Sequence, residues 1–204
     1  MIKNKKIAIA MSGGVDSSFT AYKLLQEGFD VIGINMLLTD NSFQNSRTAD
    51  DVQKVCDFLG IKLYRFDFRI EFQEKIIKYF VDDYGIGKTP NPCIMCNKFI
   101  KFGILLDKAK ELGADFLATG HYADIEFDNN KDKFFIKKAK DLSKDQSYFL
   151  ALLTQEQMKF IKFPLTNLTK KEIRELAKDI ELPVYEKKDS QEICFIPNNL
   201  CIHC

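Results

Sequence analysis

Ala10-Met11-Ser12-Gly13-Gly14-Val15-Asp16-Ser17-Ser18 is a run of small and polar residues between an apolar segment and one with helical spacing. Two glycines let the backbone take positive φ and approach a ligand with no Cβ in the way. Free N–H groups at a helix start, with the hydroxyls of Ser12, Ser17 and Ser18, make a site for an anion. A phosphate chain is the expected guest. The turn is not a Walker A loop, because no lysine follows the glycines.

Thiols form the second set. Cys93-x-x-Cys96 sits in a Pro-rich loop that runs into a helix, with Lys98 and Lys101 close behind. A helix N-terminus favours the thiolate and lowers the thiol pKa. Two readings stand: a nucleophilic or redox cysteine, or half of a metal site. In the second, Cys201 and Cys204 would supply the other pair of a zinc knuckle. Cys194 lies in Lys188–Ile196 (KDSQEICFI), where flanking Ile193 and Phe195 argue for core and Asp189, Ser190 and Gln191 for an exposed turn. Cys56 falls on an apolar helix face and reads as a buried, inert thiol. His121 and His203 are the only histidines, which excludes a histidine-rich metal site.

The elements that must hold these residues follow from periodicity. Lys5 to Met11, Phe29 to Leu38, Ile61 to Phe68 and Asp115 to Thr119 read as strands. Helices are expected from Val15, over Arg47 to Leu59, Glu71 to Tyr84 and Phe99 to Leu112, with Gly28, Gly60 and Gly113 as stops. Asp40 to Asn45 reads as a polar loop. Strands joined by helices make right-handed βαβ units with a parallel sheet. The Gly turn, Met36 and Gly120-His121 then fall at the carboxyl edge of the strands, where open α/β sheets bind ligands. Met36 either packs on an adenine ring or is core. Ile125 to Phe127 and Phe134 to Ile136 read as a hairpin. Beyond Lys140 the chain turns polar and helical, with Thr154 and Thr169 as helix caps. The expected division is 1–139 and 140–204.

The chain has 204 residues, 46% hydrophobic and 29% charged, with net charge +1. That suits a globular protein and gives no global vote for nucleic acid, so any RNA surface must be a local patch. Lys88, Lys98, Lys101 and Lys144 are its candidates. No apolar run approaches a membrane span, and the start does not read as a signal peptide. A reducing, cytoplasmic setting is expected, where the six cysteines serve catalysis or metal rather than structural disulfides.

The strand–SGGxDS–helix turn resembles the PP-loop of ATP pyrophosphatases. Thr89–Phe102 (TPNPCIMCNKFIKF), Ala118–Ala123 (ATGHYA), Lys144–Leu150 (KDQSYFL) and Lys188–Ile196 follow it in order. Together these blocks resemble the tRNA-specific 2-thiouridylases, called MnmA. The resemblance implies an α/β fold with a five-stranded parallel sheet of the adenine-nucleotide alpha hydrolase-like type, then a mainly helical central domain. The family's C-terminal β-barrel has no counterpart in these 204 residues. The implied reaction is ATP-dependent adenylation of C2 of the wobble uridine of tRNA, then sulfur transfer from a cysteine persulfide.

By position, Ala10, Met11, Ser12, Gly13, Gly14, Val15, Asp16, Ser17, Met36 and Gly120 would bind ATP, with Asp16 helping to hold Mg²⁺. Asn91, Pro92 and Cys93 would face the target base. His121, Lys144, Asp145 and Gln146 would contact tRNA. Cys96 and Cys194 would be catalytic and release the product sulfur as a disulfide forms between them; a persulfide donor protein would load Cys194. Many family members carry Asp where this chain has Cys93. The extra thiol opens a second route in which Cys93, Cys96 and Cys194 ligate a [4Fe-4S] cluster. Two other functions compete: a PP-loop enzyme acting on a small molecule, and an inactive ATP-binding remnant.

Overall fold

The computed structural model describes residues 5–40, 42–189 and 193–196. Strand β1 (Lys6–Ala10) is central, and Ile7, Ala8 and Ile9 are fully buried. The Gly turn leads into α1 (Val15–Gln26), which returns through Gly28 at φ +85° to β2 (Asp30–Leu37). Helix α2 (Ser42–Leu59) and strand β3 (Lys62–Asp67) complete a second crossover. Three helical segments, Arg69–Phe72, Gln73–Ile77 and Lys78–Gly85, run on as one helix, α3. Another three, Pro92–Cys96, Asn97–Ile104 and Leu105–Glu111, form α4. The middle segment of each has wide π turns. Strand β4 (Phe116–Ala118) and the antiparallel hairpin β5 (Ala123–Asp128) and β6 (Lys133–Lys138) follow. A short helix, α5 (Gln155–Met158), precedes β7 (Ile161–Lys162), and α6 (Lys170–Asp179) closes the set.

The sheet has five parallel strands in the order β3-β2-β1-β4-β7. Alternation along β1 sends Ile7 and Ile9 to one face and Ala8 to the other. On the first face α1, α2 and α6 pack through Phe19, Leu24, Val52, Val55, Ile173 and Ala177. On the second, α3 and α4 pack through Phe72, Ile76, Ile100, Phe102 and Leu105. Burying each such side chain is worth about 1.5–3 kcal/mol, so the two faces hold the sheet rather than the strands' own propensity.

Three readings change. Residues 42–45 open α2 rather than forming a polar loop. Pro92 starts α4 seven residues before the expected start at Phe99, because Pro suits the first helical position and Asn91 caps it. The boundary at 139/140 marks no break in packing: β7 pairs with β4, and Leu165, Ile173, Ala177, Leu182 and Val184 join the cluster of β1 and α1. Among the described residues, no helix is long and apolar enough to cross a membrane.

Candidate functional site

The strand order reverses between β1 and β4, so the loops leaving their carboxyl ends face each other across a crevice. The Gly turn leaves β1 and Thr119-Gly120-His121 leaves β4. A Cβ on Gly120 would lie 2.9 Å from the Asp16 carbonyl carbon and 2.9 Å from the Ser17 nitrogen. Gly120 is therefore glycine because the backbone of α1's first turn rests directly on it.

Within the turn the two glycines do different work. Gly13 has φ +72°, and a Cβ there would meet the Thr48 carbonyl oxygen at 3.2 Å. Gly14 is extended (φ −98°, ψ 163°), and a Cβ there would meet only Ser12 Oγ, at an ordinary 3.6 Å. Only Gly13 uses the left-handed region. Ser17 Oγ accepts from the Ser12 N–H (3.3 Å) and donates to the Gly14 carbonyl (3.1 Å). Ser18 Oγ donates to the same carbonyl at 2.9 Å. These hydroxyls fix the loop's shape, and Asn35 Nδ2 holds the Met11 carbonyl at 2.9 Å. Met36 is half-buried against the second core face, in the same apolar cluster as Ala10 and Cys96.

Asp16 is engaged on every side. Lys170 Nζ donates to both its oxygens at 2.7 Å, and the Tyr122 hydroxyl donates to Oδ1 at 2.8 Å. Burial and the Asp16 carboxylate push the Tyr122 phenol well up, so it stays a donor. A carboxylate neutralised in this way is a poor ligand for a divalent cation, which removes Asp16 as a ready Mg²⁺ ligand in this state. Lys170 is only 8% exposed and also pairs with Asp189 at 2.8 Å. Desolvation raises the Asp189 carboxyl, but Lys170, Arg174 and Lys144 outweigh it and leave it below its usual value. Lys187 Nζ donates to the Gly13 carbonyl at 2.9 Å and pairs with Asp51 at 2.6 Å. Tyr122, Lys170, Lys187 and Asp189 are site residues that sequence reasoning misses. One signal is present: Lys170 follows the Thr169 cap, at the helix end that disfavours a cation.

The thiols meet beside the sheet's second face. Asn91 Oδ1 accepts from the N–H groups of Cys93 (3.1 Å) and Ile94 (3.3 Å), and Pro92 is buried behind it. Cys93 is exposed and Cys96 is buried. Phe195 packs edge-on to Phe72 and Phe80, with centroids 5.8 and 5.4 Å apart, and with Cys194 lines a cavity of about 820 Å³. Charge on Cys194 or Cys93 would raise Cys96, and Lys101 lowers both Cys96 and Cys194, so the thiols share one electrostatic neighbourhood. The lowered thiol expected at a helix start is not what Cys96 has. Desolvation outweighs Lys101 and pushes it up to about 11, and Cys194 is raised for the same reason. Among the described residues, no three Cys, His, Asp or Glu side chains converge closely enough to hold a metal ion. Cys201 and Cys204, needed for a zinc knuckle, lie outside the described residues, as do Ser190 and Gln191.

The residues expected at tRNA divide. His121 is 9% exposed, its Nδ1 is 2.7 Å from Thr119 Oγ1, and its ring meets Phe102 and Phe163 at 5.8 Å each. Burial, with Lys101 nearby, holds its pKa well below the usual value, so it is a neutral core residue and is closed to RNA here. Asp145 accepts from the Ala139 N–H and Ser147 Oγ, and Gln146 exchanges hydrogen bonds with the Tyr122 backbone. Both Asp145 oxygens and the Gln146 side-chain oxygen are thus taken within the fold. Lys144 is exposed, 3.8 Å from Asp189. Of the other patch lysines, Lys88 pairs with Asp83, Lys98 lies over Phe99, and Lys101 faces the thiols.

A family model described as "tRNA methyl transferase HUP domain" matches residues 5–198. The chain belongs to that family. A tRNA-specific 2-thiouridylase MnmA 1 from Caldanaerobacter subterraneus subsp. tengcongensis is 50% identical to it, over 96% of this chain and 57% of the relative. The tRNA-specific 2-thiouridylase MnmA of Clostridium acetobutylicum is 48% identical over the same shares. The chain thus spans little more than half the length of the curated relatives it matches. Solved structures of similar fold include a 4-thiouridine synthetase in an RNA complex with bound ATP (18% identity, TM-score 0.55, 93% of this chain and 44% of that one). Another is an NMN synthetase from Francisella tularensis (16%, TM-score 0.54, 90% and 66%). At these identities the likeness shows the fold, and its bearers' different activities send the question of function back to the site.

Proposed function

We propose that this chain carries the chemistry of a tRNA 2-thiouridylase, a transferase that uses ATP to replace O2 of the wobble uridine with sulfur. The observation that supports this reading over others in the fold is the placement of Cys96 in one apolar cluster with Ala10 and Met36. A thiol pair beside a nucleotide edge suits activation followed by sulfur transfer. A methylation, or a ligation of a small molecule, leaves Cys93, Cys96 and Cys194 without work. The relatives' names agree with the thiolation.

The Gly13–Ser17 turn takes the ATP phosphates and Met36 and Gly120 border the adenosine; Mg²⁺ held by the phosphates themselves would neutralise their charge. O2 of the uridine attacks the α-phosphorus, and the bond to the β-phosphate oxygen breaks to release pyrophosphate. Cys194 receives sulfane sulfur from a donor protein's persulfide by thiol exchange, with no net redox change. The terminal sulfur attacks C2 and AMP leaves, giving a C2–S–S–Cys194 intermediate. Cys96 then attacks the Cys194 sulfur; the thiocarbonyl sulfur leaves and a Cys96–Cys194 disulfide forms, which an external dithiol reduces. Its raised pKa keeps Cys96 protonated at neutral pH, so it loses its proton to water as the site is resolvated, with the Lys101 cation favouring the thiolate, before it attacks. Asn91, Pro92 and Cys93 form the wall at the base, with Cys93 its exposed member, and Lys144, exposed beside Asp189, is the member of the Lys144–Gln146 trio that meets RNA.

The test is mass spectrometry of the wobble uridine in tRNA incubated with this chain, ATP, Mg²⁺ and a persulfide source, with pyrophosphate measured alongside. Thiolated uridine with tRNA-dependent pyrophosphate release is expected. Pyrophosphate release driven by a small carboxylate without tRNA would overturn the reading.

A further inference from the structure

In a Walker-type loop a lysine beside the glycines reaches the phosphates, and this turn carries none. The fold brings an ammonium to it from far along the chain. Lys187 Nζ donates to the Gly13 carbonyl at 2.9 Å, across 174 residues of sequence, and to Asp51 at 2.6 Å. An ammonium has three N–H donors, and its contacts with described residues use two of them. The Lys187 side chain is 36% exposed, so it is open to a ligand. Arg174 donates to the Tyr185 and Lys187 carbonyls at 3.2 Å and fixes the backbone that carries it. Asp16 poses the opposite problem. It lies in the first turn of α1, where a phosphate would meet the free N–H groups, and a bare carboxylate there would repel it. Lys170 Nζ covers both Asp16 oxygens at 2.7 Å. Lys170 is the first residue of α6, the helix end that disfavours a cation, so its own helix does not account for it.

We propose that Lys187 is the phosphate-binding lysine of the Gly turn and that Lys170 is a positioning residue, which cancels the Asp16 charge so that phosphate can enter. A phosphate oxygen takes the third N–H of Lys187, while the other two keep Nζ on the Gly13 carbonyl and Asp51. The cation stands at the turn before nucleotide arrives, so binding orders little that is not already ordered. Lys170, 8% exposed and paired also with Asp189 at 2.8 Å, keeps to the carboxylates and reaches the ligand only through Asp16. The inference deepens the assignment of the turn to ATP made above and rests on it.

Two measurements test this. In the first, the parent chain is treated with an acyl-phosphate ester of ATP, which transfers its acyl group to an amine beside the phosphates, and labelled lysines are read by mass spectrometry. Label on Lys187 that an excess of the non-hydrolysable α,β-methylene analogue of ATP suppresses is expected. Label confined to other lysines, or label on Lys187 that the analogue leaves unchanged, overturns the proposal. The second titrates that analogue by calorimetry. Lys187→Met should weaken it about tenfold or more, the loss of one hydrogen bond to a charged oxygen. Lys187→Arg, which keeps the charge and the donors, should retain most of the affinity. Lys170→Met should weaken the analogue as well, and adding Asp16→Asn should restore it, because the charge that repels phosphate is then gone. A merely structural tie between Lys170 and Asp16 would stay broken in that pair and the affinity would stay low, which overturns the positioning role. Unchanged affinity in Lys187→Met overturns the binding role. If a Met variant does not fold, the labelling of the parent chain and the Lys170→Met, Asp16→Asn pair, which leaves no bare carboxylate at the turn, still decide. A parent chain that does not bind the analogue overturns the ATP assignment and this inference together; one that binds it but gives either contrary result overturns the inference alone.

Discussion

Replacing Gly120 with alanine tests whether the β4 loop and the Gly turn form one site. The added Cβ would stand 2.9 Å from the Asp16 carbonyl carbon and the Ser17 nitrogen and 3.1 Å from Asp16 Cβ. Ordinary contact begins at 3.4 Å, and the first two neighbours are backbone that cannot rotate away. The first turn of α1 must retreat, against the Lys170 and Tyr122 contacts that fix Asp16. Overpacking of this kind costs about 1–3 kcal/mol. A chain of this size loses roughly 2–4 °C in Tm per kcal/mol, so a fall of roughly 2–12 °C is expected. The same retreat moves the N–H groups that cradle phosphate. Loss of one hydrogen bond to a charged oxygen should weaken ATP roughly tenfold or more. Gly85→Ala is the control, since nothing lies within 4 Å of a Cβ there. Scanning calorimetry and ATP titration on the three chains decide the matter. A Gly120→Ala chain that melts with the parent and binds ATP equally refutes the claim that this glycine seats α1.

Other expectations follow from the same geometry. Gly13→Ala should destabilise and weaken ATP more than Gly14→Ala, because only Gly13 has positive φ and a carbonyl at 3.2 Å; equal effects on thermal unfolding and titration would count against this. His121 is held neutral by burial, so the unfolded chain binds the extra proton and stability should fall as pH drops below about 6.5. Melting curves from pH 7.5 to 5 should show that loss, and His121→Phe should flatten it. With Cys56 and Cys96 both pushed up to about 11 and buried, iodoacetamide at pH 7.5 should label exposed Cys93 and Cys194 before either of them; early labelling of Cys96 would contradict the burial argument. Thr169→Ala removes the hydroxyl of a complete capping box on α6 and should cost about 1 kcal/mol, read as denaturant midpoint.

Strands β1, β2 and β4 are legible in the sequence because each is a near-continuous apolar run, the mark of a parallel strand covered on both faces. Strand β7 is not. It is two residues long, one of them Lys162, and only pairing with β4 makes it a strand. That strand is also why residues past 140 belong to the packing of the first sheet. At the site, the Gly turn and the cysteine blocks can be read because their chemistry is local. His121 cannot, because its burial depends on Phe102 and Phe163, which the sequence does not place beside it. The same holds for Lys170: a capping box announces the helix, but only the folded chain brings its first residue to Asp16. Cys96 departs from its expected acidity for a related reason. The helix start favours a thiolate, and the apolar cluster that overrules it comes from α3, β1 and β2.

The wide turns of α4 have a consequence for how the chain tolerates change. Between Asn97 and Ile104 the helix carries more residues per turn than its two ends do. The Phe102 carbonyl is taken by Gln157 Nε2 at 2.7 Å, and a Cβ on Gly103 would press the Lys98 carbonyl at 3.1 Å. Cys93 and Cys96 lie on one side of this stretch, and Leu105, Leu106 and Ala109 are sunk in the core on the other. The two ends are thus held at a phase that no regular α-helix of the same length would give. Removing a single residue from the stretch would allow ordinary turns to form and would swing the thiols by about 100° around the axis, one residue's share of a turn. The direction in which the cysteines face is therefore set by residue count over this stretch as much as by residue type, and length variation there is a change of chemistry even where every named side chain survives.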